Sequence, residues 1–226
     1  MNNNIIDGDV IGHTHQLPFV VAFLNQKGGV GKTTLATNVA TKLHLGLSKV
    51  LLVDSDPQGS ARDWHEAGNS ELRVIGMDRP KSLEKDLKAI AQGFDWVIID
   101  GVPQIKEMSV AAIKCADLLI IPVQPSPYDI LATIDLVDII KARQQMTDGK
   151  PKAYFCVNRK IANTSLGKEV FPALRELGLP VMESSTTQRV AYSENVSQGK
   201  TVFDTGNIQA IEEITNIVNE MKKILI

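Results

Sequence analysis

The sequence predicts an α/β fold in which a doubly wound, mostly parallel sheet carries helices on both faces. Three observations predict it. Short runs of β-branched and aliphatic residues recur without polar alternation, the pattern of strands covered on both sides. Between them lie segments whose apolar residues fall at helical spacing. The chain, 226 residues with 43% hydrophobic composition, is also long enough to bury such a sheet in one domain without cross-links.

The elements follow in order. "FVVAFLN" (19–25) reads as a buried strand, and "TTLATNVATKLHL" (33–45) as the helix after it. The alternation recurs through "KVLLVD" (49–54), "SARDWHEAG" (60–68), a short "LRVIGM" (72–77) and "KSLEKDLKAIAQG" (81–93). Next come "FDWVIID" (94–100), "KEMSVAAIKCA" (106–116), "DLLIIPV" (117–123) and "YDILATIDLVDIIKARQQ" (128–145). The last third gives "KAYFCVN" (152–158), "LGKEVFPALRELG" (166–178), "PVME" (180–183), "QRVAYSENVSQG" (188–199) and a final helix from about Asn207 to Leu225. No internal repeat or low-complexity linker divides the chain, so residues 18–226 read as a single domain. Residues 1–17 read as a polar, poorly ordered extension, whose His13 and His15 lack the converging ligands of a metal site.

Charge and composition exclude several classes. A formal net charge of −2 supplies no overall field toward nucleic acid or acidic lipid, so such binding must come from a local patch. The balance is uneven along the chain: residues 1–140 carry 12 Lys/Arg against 17 Asp/Glu, whereas 141–200 carry 10 against 5. Cys115 and Cys156 are isolated thiols without C-x-x-C or zinc spacing, which suits a reducing cytosol. No window approaches the ~20 apolar residues of a spanning helix. The first residues lack the basic and then apolar pattern of a secretory signal.

The chemistry concentrates in "NQKGGVGKTT" (25–34). The phosphate-loop pattern G-x-x-x-x-G-K-[ST] puts its second glycine at Gly31, its lysine at Lys32 and its hydroxyl at Thr33, while its first glycine would fall on Gln26. Gly28, Gly29 and Gly31 let backbone N–H groups from Lys27 to Thr34, Val30 included, approach an anion at a helix N-terminus. At ordinary glycine and lysine usage, such a string arises by chance on the order of 10⁻⁴ times in a chain of this length. Lys27 is a second cation at the mouth of the loop. Two acidic segments follow. Asp100 ends an apolar strand, where a carboxylate can hold a metal-bound water; "DSDPQ" offers Asp54 and Asp56, and Pro57 stops that strand and fixes a turn.

On "KGGVGKTT", "VLLVDSDPQGS" (50–60), "FDWVIIDGVP" (94–103) and "LIIPVQPSPYD" (119–129), the chain resembles the deviant Walker-A ATPases of the ParA/MinD family. It looks most like the short ParA-type partition ATPases without an N-terminal helix-turn-helix domain, since the first strand starts at residue 19. The resemblance implies a P-loop fold that binds ATP and Mg²⁺. It implies a homodimer in which Lys27 reaches the phosphates held by the other subunit and Lys32 serves the β and γ phosphates of its own site. Thr33, Asp54 and Asp100 would form the metal shell, and Asp56 would orient the attacking water. Pro125, Asn158 and Arg159 would lie near adenine. Where the family more often has Thr-Pro-Pro after the strand-end aspartate, this chain has Gly101-Val102-Pro103.

The resemblance also implies slow ATP hydrolysis stimulated by a ParB-like or other centromere- or cargo-binding partner. The ATP dimer would bind DNA nonspecifically through residues such as Arg189, Lys200 and Lys168, segregating plasmid or chromosomal DNA in the cytoplasm on the nucleoid. Two alternatives stand beside this reading. A MinD-like membrane ATPase would dock its C-terminal helix on lipid, but that helix carries Glu212, Glu213 and Glu220 and lacks the basic and aromatic bias of an interfacial anchor. A metabolic phosphotransferase or ligase would share the loop and the sheet.

Overall fold

Six apolar runs pair side by side in a single sheet, all parallel, in the order β3-β2-β4-β1-β5-β6. The structure, a computed structural model, describes residues 17–103, 107–161 and 164–225. All but the last residue of the expected N-terminal extension, with His13 and His15, lies outside these residues. In chain order the elements are β1 (Phe19–Phe23), α1 (Lys32–Leu45), β2 (Val50–Asp54), α2 (Ser60–Glu66), β3 (Arg73–Gly76), α3 (Pro80–Ile90) and β4 (Trp96–Asp100). They continue as α4 (Glu107–Cys115), β5 (Leu118–Val123), α5 (Pro127–Leu131), α6 (Ile134–Met146), β6 (Lys152–Val157), α7 (Ser165–Glu176) and α8 (Ile208–Leu225).

Successive strand residues point to opposite faces, and each face has its own core. Val21 and Phe23 of β1 pack with Leu35, Val39 and Leu43 of α1, Trp64 of α2, and Ile214, Ile217 and Met221 of α8. Ala22 and Leu24 pack on the other face with Leu83 and Leu87 of α3, Ala111 of α4, Leu136 and Ile140 of α6, and Leu174 of α7. The C-terminal helix therefore spends its apolar stripe inside the molecule, as its acidic outer face suggested. No helix among the described residues is long and apolar enough to cross a membrane.

Three expected elements differ. The run 128–145 breaks into α5 and α6: the Gln26 amide donates to the Ala132 carbonyl, and the fully buried Thr133 turns its hydroxyl onto Ile130 O at 2.7 Å. Residues 180–183 contribute one bridge, Val181 to Phe155, rather than a seventh strand. Residues 188–199 form two single 3₁₀ turns, Val190–Tyr192 and Val196–Gln198.

In an open parallel sheet, ligands lie beyond the carboxyl ends of the strands. Five of those ends carry the singled-out residues. The loop 25–31 follows β1; Asp54 ends β2 in direct register with Asp100 at the end of β4; Pro125 follows β5; and Asn158 and Arg159 follow β6.

Candidate functional site

The loop 25–31 is shaped by where its carbonyls go. Lys32 Nζ donates to Lys27 O at 3.1 Å, the Gln124 amide to Gly29 O at 3.0 Å, Arg159 Nη1 to Gly29 O at 3.2 Å, and Asn158 Nδ2 to Val30 O at 2.6 Å. With the Gly29 and Val30 oxygens drawn to β5 and β6, the peptide units there can turn N–H groups toward the start of α1. Gly31 caps that helix in the left-handed region, φ 95°, with no side chain blocking the helix end. A Cβ on Gly31 would fall on Asn158 Nδ2, so backbone and amide meet only because the residue is glycine. The result is a braced loop at a helix N-terminus, the arrangement of an anion cradle.

Inside the cradle's floor, Lys32 is buried, and burial pushes its pKa down against the opposing pull of Asp100 and Asp56. Asp100 is 1% exposed, and burial raises its pKa to about 7, opposed by a hydrogen bond from Thr33 and by the Lys32 charge and reinforced by Asp54 and Asp56. Its Oδ1 is buried with no hydrogen-bond partner. An orphaned carboxylate oxygen beside a threonine hydroxyl at the mouth of a phosphate loop fits Mg²⁺, which takes one or two protein oxygens and completes its shell with water and phosphate. Among the described residues no cluster of three or more His, Cys, Asp or Glu forms a protein-only metal cage.

Asp54, expected at the metal shell, is tied into its own turn. It is fully buried, and both oxygens are committed to protein donors: Oδ1 accepts from Asp56 N at 3.0 Å, and Oδ2 from Ala61 N and Arg62 N at 3.1 Å. It anchors the start of α2 and the turn before it. Asp56, one turn on, lies on the wall of a cleft of about 690 Å³ with Pro57, Gln58, Pro80, Val102 and Met108. The Gly101-Val102-Pro103 departure has a steric reason. A Cβ on Gly101 would stand 2.6 Å from Phe23 O, the oxygen that accepts Gly101 N–H.

The Lys27 side chain is directed to α5. It is 42% exposed, and its ammonium pairs with the buried Asp129 of that helix. Asn158 and Arg159 are brought to the loop, but as clamps. The Asn158 carbonyl oxygen accepts from Thr186 Oγ1, and the residue is 4% exposed, so little of its amide remains for a base edge. Pro125 instead lines a small cavity with Ile130, Leu131 and Val170.

The basic candidates are dispersed. Arg189 is held by Glu213 at 3.1 Å and by Gln209, while Glu213 also accepts from Thr187 and Tyr192. Lys200 is exposed, its carbonyl taken by the Trp64 indole at 3.0 Å. The Lys168 side chain lies outside what the structure describes. The sequence reading missed Gln124, Asp129, Thr186 and Arg62. Gln124 and Asp129 stand inside "PVQPSPYD", which was singled out as a motif; nothing local marks the other two.

The sequence profile of the CobQ/CobB/MinD/ParA nucleotide binding domain matches residues 21–202. The chain belongs to the ParA/MinD family. Among its relatives, a maintenance of carboxysome distribution protein A from Halothiobacillus neapolitanus is 32% identical over 212 residues, covering 90% of this chain and 96% of that protein. A protein of the same name from Gloeobacter kilaueensis is 34% identical over 197 residues, covering 85% and 88%. The solved apo structure of McdA from Cyanothece superposes with a TM-score of 0.76 at 19% identity, covering 90% of this chain and 99% of that one, which establishes the likeness of fold. The phosphate loop, the strand-end Asp100 and the six-stranded parallel sheet are thus the parts of a ParA/MinD-type P-loop ATPase fold.

Proposed function

We propose that this chain, acting as one ATPase domain over residues 18–226, is a positioning ATPase that hydrolyses Mg²⁺-ATP as a nucleotide-bridged homodimer. The observation that carries this reading is the place of Lys27. Lys32 already supplies a cation inside the cradle, whereas Lys27 stands half-exposed at its outer edge, paired with Asp129 of its own chain. A charge there serves the phosphates of a second copy more readily than those of its own site. Phosphoryl transfer depends on positive charge placed where negative charge spreads in the transition state, so a cation lent in trans makes hydrolysis depend on assembly. Asp56 orients the attacking water, and Thr33 and Asp100 hold the metal, which when bound neutralises charge on the phosphates. Pro125, Asn158 and Arg159 form the base side of the site, the last two chiefly by holding the loop.

The cargo is a large protein assembly. The sequence pointed to plasmid or chromosome segregation, but two relatives above 30% identity are named for carboxysome distribution. The nucleoid serves as the surface on which the cytoplasmic ATP dimer travels, gripped without sequence preference, and a cargo-bound partner triggers hydrolysis. Arg189, Lys200 and Lys168 are the proposed phosphate contacts. Arg189 must trade Glu213 for DNA, which gives the dimer a way to alter the basic face.

The test is ATP turnover with and without DNA and a cargo adaptor, with DNA affinity titrated against salt in ATP and in ADP. The expected result is tighter, steeply salt-dependent binding in ATP. Equal affinity in both nucleotides removes the switch, and fast turnover on a small acceptor restores the metabolic alternative.

A further inference from the structure

We propose that Arg62 is a positioning residue for hydrolysis, a clamp that fixes the Asp56 backbone; this rests on the ATPase reading above. Its guanidinium spans the acidic turn. Nε lies 3.5 Å from Asp54 Oδ2 and Nη2 donates to Asp56 O at 3.1 Å. Asp56 N in turn donates to Asp54 Oδ1 at 3.0 Å. Asp56 is therefore gripped at both its N–H and its carbonyl by one ion pair, and the same carbonyl closes the turn by accepting Gly59 N–H at 3.0 Å.

The fold makes room for this side chain in two places. A Cβ on Gly59 would meet Nη2 at 3.1 Å, and one on Gly76, at the end of β3, would meet Nη1 at 2.9 Å. The guanidinium is seated between two glycines from different elements. Arginine suits the role because its rigid fork holds two acceptors at once and never loses its charge. Lysine could reach one of them. Because a small misplacement of a catalytic group costs a large factor in rate, a loosened Asp56 should lower turnover while the phosphate cradle, built on other strands, still binds ATP.

The experiment compares Arg62→Gln, Arg62→Lys, Gly76→Ala and the Arg62→Gln/Gly76→Ala double variant by kcat, ATP affinity, Tm and amide exchange across residues 54–59. Arg62→Gln should lower kcat about tenfold or more, with ATP affinity within about twofold and faster exchange at Asp56 and Gly59. Gly76→Ala should reproduce the loss without touching a charge. The double variant should be no worse than Arg62→Gln, and Arg62→Lys should recover part of the rate. A lowered Tm with unchanged kcat, an equal loss of ATP affinity, or additive losses in the double variant would each overturn the proposal. If the wild-type chain hydrolyses no ATP, the functional reading fails instead, and the exchange measurement alone decides the clamp: unchanged protection at Asp56 and Gly59 in Arg62→Gln rejects it.

Discussion

The two turns at the carboxyl edge of the sheet, 25–31 after β1 and 54–59 after β2, are built by opposite means. The phosphate loop is held from far along the chain, by Gln124 after β5 and by Asn158 and Arg159 after β6. The acidic turn is held chiefly within its own segment, by Asp54 and Arg62, and is joined to β4 through Ser55, whose hydroxyl donates to Asp100 O at 2.7 Å. A cradle that must present the same N–H groups in every nucleotide state gains from anchors on two neighbouring strands of one sheet. A turn proposed to respond to the γ-phosphate would gain from a local tie. Between them Asp100 keeps one buried oxygen unsatisfied, so the site is tied down at the loop and incomplete at the strand-end carboxylate.

The largest expected effect is at the tied-down loop. Gly31→Ala puts a Cβ onto the Asn158 amide and forces a left-handed φ, and should cost about 2–5 kcal/mol and abolish nucleotide binding by isothermal titration. Binding within a few-fold of wild type would show that the cradle is not rigid. Asn158→Ala should cost less, about 1–3 kcal/mol in urea unfolding, because it strands the Val30 carbonyl and the Thr186 hydroxyl. A further effect concerns the incomplete side, and its sign follows from linkage. The folded Asp100 holds its proton up to about pH 7, whereas the unfolded one releases it near 3.8. Between those values the folded state binds more protons, so stability falls as pH rises, and above pH 7 the cost of the buried charge is fully present. In EDTA, Asp100→Asn should match wild type near pH 4 and melt a few degrees higher at pH 8, and should lose any Mg²⁺-dependent gain in Tm.

The same contrast explains what the sequence revealed. All six strands were legible as apolar runs, and the glycines and Lys32 of the loop were legible because an anion cradle needs small residues and a cation at fixed spacing. The clamps were not, since Asn158 meets Val30 across 128 residues and a stretch read alone cannot say which amide points where. The partners of Asp54 were hidden for a related reason. Its two oxygens face N–H groups at the start of α2, a turn whose path the proline announced but whose closure it did not. Arg189 looked free until the fold brought Glu213 from α8 against it.

The account's central claim is that Lys27 works on the other chain's nucleotide. Lys27→Gln and Asp56→Ala chains, each unable to hydrolyse ATP alone, should regain turnover when mixed. In the mixed pair, the Asp56→Ala chain lends its Lys27 to a neighbour that still has Asp56. A mixture as inactive as its two components would mean that the lysine serves its own site, and would contradict the claim.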